Sequence, residues 1–159
     1  MEWLNEGLKH VGLAEIPGAK HNATIQAWLR KLGAWWSDDE TPWCGVYVAH
    51  CMQVSGLPVP KYYMRAKAWA DWGVGLSRPV VGCVVVFERK GGGHVGFVVG
   101  QDQRGNLMVL GGNQGNKVSV APFDRSRVLA YRWPTAMPYP EDKPLRLVAS
   151  DGKLSTNEA

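Results

Sequence analysis

The chain has 159 residues, 45% of them hydrophobic and 20% charged, and a formal charge of +4. That length suits one domain, and the composition excludes a wholly disordered or collagen-like chain. The longest apolar runs, such as Cys83–Phe87, are too short to span a bilayer, and MEWLNEGLKH has no apolar stretch, so neither stable membrane insertion nor a secretory signal is expected.

In chain order, Trp3, Leu4, Leu8 and Val11 recur every three or four residues and predict an amphipathic helix that Gly12 ends. The stretch 12–22, with Pro17 and Gly18, reads as a loop. Asn22 is placed to cap a second helix with Ile25, Trp28, Leu29 and Leu32 on one face, stopped by Gly33. A loop from Trp35 leads to a third helix over 43–55, with Thr41 as N-cap and Pro42 in its first position. Gly56, Pro58 and Pro60 end it, and a short fourth helix is expected over 65–72.

After Leu76 the pattern changes to strands, at 82–88, 94–101, 106–112, 117–121 and 128–133, punctuated by Gly, Asp and Asn. Helices followed by about five antiparallel strands predict an α+β fold: N-terminal helices packed on a C-terminal, partly barrel-like sheet. A single domain is expected over 1–134, followed by a Pro-rich and then polar tail over 135–159, partly frayed.

Three cysteines cannot all pair within the chain, and there is no CxxC. The four histidines make no HxxxH or HExxH pair, so no metal or other cofactor is expected. Asp38-Asp39-Glu40 lacks the alternating spacing of a calcium loop and reads as an acidic helix start. Cys51 and Cys83 read as core, His50 as packed or solvated, and His10 and His21 as surface residues. Aromatic residues do not interleave with basic ones, so no nucleic-acid partner is expected; the mild basic excess suits an anionic partner without identifying it.

Cys44 is the most informative residue. It stands at the start of the third predicted helix, where backbone N–H groups and the helix dipole favour a thiolate and can hold an oxyanion. Cys44, Tyr47, Val48 and Cys51 share one helical stripe. His94, opening a strand after a triple-glycine turn, is the candidate base. If Gln101 pairs with Asn106, Asn113 lies directly across from His94, with Cβ atoms about 5 Å apart. An amide oxygen there would fix the imidazole tautomer, while a one-residue slip offers Gly112 or Gln114 instead. Gly96, on the same face as His94, is expected to leave room for a substrate. Asn113 reads about equally well as a turn residue, and Trp35, Trp36 and Trp43 as cleft walls or as core.

Four segments occur in order: Thr41-Pro-Trp-Cys44-Gly-Val-Tyr-Val48, Gly82-Cys-Val-Val-Val-Phe87, Gly93-His-Val-Gly-Phe-Val-Val99 and Gly111-Gly-Asn-Gln114. Together they closely resemble the CHAP group of cysteine–histidine peptidoglycan hydrolases and, more distantly, the NlpC/P60 group, within the papain-like class. The likeness spans about Glu2 to Trp133, including Glu15-Ile-Pro-Gly18. Where Cys83 stands, these families often carry Asp, so any structural or metal role of that position is in doubt here. The resemblance implies Cys44 as nucleophile, His94 as general base and Asn113 as orienting residue, with bacterial peptidoglycan as substrate. Substrate contacts are expected from Trp36, Glu40, Trp43, Gly96 and Gln114. The bond cut is then an amide in the stem peptide or between sugar and peptide. The small size suggests a monomeric phage endolysin, made in the host cytoplasm and acting at the wall after release. The alternatives are a bacterial wall-remodelling enzyme, a toxin of the same fold, or a wall-binding module without catalysis.

Overall fold

The computed structural model describes residues 1–14, 23–33, 43–150 and 154–155. Three helices, α1 (Glu2–Lys9), α2 (Ala23–Leu32) and α3 (Cys44–Val54), come first. A 3-10 helix over Ala66–Asp71 follows, and then the strands β1 (Val74–Leu76), β2 (Val84–Arg89), β3 (Gly92–Gln101), β4 (Leu107–Gly111), β5 (Ser119–Phe123) and β6 (Val128–Trp133). Thr41 and Pro42, expected to open α3, lie outside the described residues, as does Asn22.

The α+β expectation agrees with this architecture, but two details differ. The sheet has six strands, not five, and its order β1-β6-β2-β3-β4-β5 leaves β1 and β5 as edges, so it is open and not barrel-like. The added strand is Val74-Gly75-Leu76, too short to carry an alternating pattern of its own. It exists because β6 supplies a partner, pairing Val74 with Trp133 and Leu76 with Tyr131. Arg132 reinforces the join, its guanidinium donating to the carbonyls of Trp72 (2.6 Å) and Gly73 (3.0 Å).

Helix α3 is the axle of the molecule. Every residue from Cys44 to Met52 is buried, and a helix apolar on all sides must be packed on all sides. Helices α1 and α2 cover one side, and β3 and β4 the other. Trp3 ties α1 to the sheet: its indole N–H donates to the Gly82 carbonyl at 2.8 Å, and its ring meets Trp133 edge-on at 5.3 Å. Leu8 and Val11, part of the periodic apolar stripe, are exposed; Glu6 and Gly7 take buried positions instead.

The β3–β4 hairpin sets the register at the site. Gln101 pairs with Leu107, one residue later than expected, and a bulge at Val99 takes that residue back, so that Phe97 faces Leu110. Beyond the hairpin, residues 145–148 return to the sheet: the Gln101 N–H donates to the Arg146 carbonyl at 2.9 Å, and the Val148 N–H to the Gln101 carbonyl at 2.8 Å. Among the described residues no helix is long and apolar enough to cross a membrane.

Candidate active site

Cys44 is the first residue of α3, and the N-cap residue Trp43 supplies no side-chain cap. The first N–H groups of a helix have no partner within it, and here those of Cys44 and Gly45 turn toward the Cys44 sulfur. A third backbone hydrogen bond to that sulfur comes from Val95, the residue after His94. The nucleophile candidate thus lies against the residue next to the base candidate, fifty residues on in the chain, where α3 abuts the start of β3. Burial pushes the Cys44 thiol above its ordinary value of 9.0; the Val95 and Gly45 amides and the Arg89 charge pull the other way without overcoming it.

His94 is fully buried and held on two sides. Its ring stacks nearly parallel on Phe123 at 5.3 Å, and Phe123 stacks on Phe87 at 4.6 Å. Nε2 of the imidazole lies 2.9 Å from Oε1 of Gln114. The Gln114 amide nitrogen donates to the carbonyls of Val109 (3.1 Å) and Ser119 (2.9 Å). Carbonyls only accept, so the amide cannot flip, and Oε1 must face the ring. The His94 proton therefore sits on Nε2, which leaves the lone pair at Nδ1.

This corrects the expectation for Asn113. Phe97 opposite Leu110 would place His94 opposite Asn113 if the ladder continued, but β4 ends at Gly111. Asn113 takes a left-handed backbone, φ 60°, and the chain turns away; its buried Oδ1 has no hydrogen-bond partner. Gln114, one residue on and with one more methylene, reaches back to the ring. Two glycines permit the close approach. A Cβ on Gly111 would stand 3.1 Å from His94 Nε2, and one on Gly112 would stand 2.8 Å from both Trp43 and Tyr47.

Other expected contacts are placed differently. Gly96 opens no space for a substrate: a Cβ there would stand 2.7 Å from Val109 and 2.8 Å from the Leu110 carbonyl, so β4 already fills the gap. Trp43 is only 1% exposed and packs as core, not as a cleft wall. Trp36, Glu40 and the rest of the acidic run lie outside the described residues. The three cysteines are all free, buried thiols, and burial pushes Cys83 up to about 12, as fits a core residue. Among the described residues of the site, Cys44 is 4% and Gln114 2% exposed.

Residues 36–113 match the family model of the CHAP domain. The chain carries a CHAP domain. This family comprises peptidoglycan hydrolases, so peptidoglycan is the substrate class that membership implies. The matched stretch takes in Cys44 and His94 and ends on Asn113, one residue short of the side chain that holds the ring. No curated protein matches the sequence. Sequence reasoning had Gln114 only as a substrate contact or a product of register slip. It missed the Val95 amide altogether, because a backbone donor leaves no mark in residue types.

Proposed function

We propose that this CHAP domain cuts an amide bond in the peptide part of peptidoglycan through an acyl-enzyme on Cys44. His94 Nδ1 takes the thiol proton, and the sulfur bonds to the amide carbonyl carbon. The N–H groups of Cys44 and Gly45, at the start of α3, hold the oxyanion. As the C–N bond breaks, the imidazolium gives its proton to the leaving amine. Water then attacks the thioester, passing a proton to His94, and the carboxylic product leaves as the proton returns to sulfur. Gln114 takes no part in bond making; it keeps Nε2 protonated and so keeps Nδ1 basic.

The observation that carries this reading is the Gln114 amide network. It fixes the tautomer a general base needs, beside the residue whose amide touches the Cys44 sulfur. The biological setting we favour is a monomeric phage endolysin, made in a host cytoplasm and acting on the wall after release. The +4 charge supports adsorption to an anionic wall. The burial of Cys44 favours a second reading, a wall-binding module without catalysis. Turbidity loss of permeabilised cells separates the two: Cys44→Ala and Cys44→Ser lose lysis with unchanged circular dichroism on the first reading. Lysis at the parent rate by either variant would overturn it.

A further inference from the structure

Away from Cys44 and His94, α1 and α3 bring together a second group of chemically able side chains. Glu6 and His10 stand four residues apart at the end of α1, and His50 faces them from α3. Nε2 of His10 and Nε2 of His50 each lie 2.8 Å from the same oxygen, Oε2 of Glu6. We propose that Glu6, His10 and His50 bind a divalent cation of the zinc type, which clamps α1 to α3.

The donor set comes first. Two imidazoles and one carboxylate make a three-ligand zinc site that leaves a fourth position for water. The three ligand atoms lie within 4.8 Å of one another. Tetrahedral zinc, with bonds of about 2.0–2.2 Å, needs ligand atoms about 3.3–3.5 Å apart. To admit an ion the two nitrogens withdraw from Oε2 by about half an ångström, and their own separation, within 4.8 Å, settles at about 3.4 Å.

The rings are held in place without an ion. His50 stacks on Trp28 at 4.6 Å, and His10 meets Trp28 edge-on at 5.0 Å. Glu6 is anchored through its other oxygen, Oε1, which accepts from Lys9 at 2.9 Å and leaves Oε2 turned to the imidazoles. Without an ion the Glu6 carboxylate accepts from Nε2 of His50, while Nδ1 of His50 is buried and has no hydrogen-bond partner. Moving its proton to Nδ1 turns Nε2 from a donor into a ligand. His10, with its side chain 22% exposed, is the side on which an ion and its water enter.

His50 follows Cys44 by six residues, about 9 Å along the helix axis. The ion would therefore act by holding the helix that carries Cys44, not by touching substrate. Metal binding at Glu6, His10 and His50 does not depend on the proposed hydrolysis, and it is read with Cys44 removed.

Full-length Cys44→Ala protein, stripped with chelator, is titrated with Zn²⁺ by calorimetry and with Co²⁺ by visible spectroscopy. The expected result is one equivalent of either metal, a higher Tm with Zn²⁺, and cobalt d–d bands without thiolate charge transfer. His10→Ala, at the half-exposed end of α1, should weaken binding at least about tenfold. If that variant does not fold, Glu6→Gln, which keeps the side-chain volume, is read in its place. No binding at millimolar metal, a thiolate charge-transfer band, or an affinity unchanged by the variant would each overturn the site and leave a hydrogen-bonded cluster only.

Discussion

His94 is oriented by Gln114, and this division of labour separates two neighbouring residues by experiment. Gln114→Ala leaves the imidazole free to take the other tautomer and should lower kcat/KM by about 10²- to 10³-fold. Asn113→Gly removes the amide without straining a left-handed backbone, and should cost less than about tenfold. Steady-state kinetics on a soluble wall fragment checks both, and equal losses would contradict the assignment. Cys44 adds a pH dependence. Burial raises its pKa above that of a free thiol, so the resting sulfur is expected to carry its proton at neutral pH. The thiolate fraction, and with it iodoacetamide labelling of Cys44, should keep rising as the pH is taken from neutral into the alkaline range. Peptide mapping of the labelled protein follows it. A plateau already reached near neutrality would mean a resting thiolate instead.

At the scale of elements, the site depends on a turn pressed against a helix start. Gly112 meets Trp43 and Tyr47 so closely that Gly112→Ala forces the 111–114 turn away from α3. Overpacking of this kind costs about 1–3 kcal/mol, read as a fall in the urea midpoint. An unchanged midpoint would show that the turn is not pressed there. The same elements show what the residue string discloses. Helix α3, with Cys44 at its start, was legible because Gly56 and two prolines bound an apolar run. His94 was legible because strand alternation resumes after Gly91-Gly92-Gly93. The hydrogen bond to His94 was not. The late pairing of Leu107 and the bulge at Val99 offset each other, and the left-handed Asn113 then broke the ladder. None of these has a local signal strong enough to fix a register. Likewise β1 needs β6, almost sixty residues on, to exist as a strand. The Glu6–His10–His50 group leaves no paired-histidine pattern in the sequence, because one partner is a glutamate and the other comes from a different helix.

On the scale of the whole molecule, a helical half carries Cys44 and a sheet half carries His94, and the Val95 amide beside His94 joins the two halves at the start of α3. The helix start contributes backbone N–H groups around the sulfur, and the sheet contributes an imidazole of fixed tautomer in aromatic packing. The CHAP match over residues 36–113 supplies the substrate class, peptidoglycan. Cleavage of peptidoglycan amides by Cys44 is tested most directly by mass spectrometry of purified peptidoglycan incubated with the parent protein and with Cys44→Ala. The parent should release fragments with new amino groups or peptide-free sugars and no new reducing sugar ends, and the variant should release none of these products. Identical fragments from both proteins, or cleavage confined to glycosidic bonds, would contradict it.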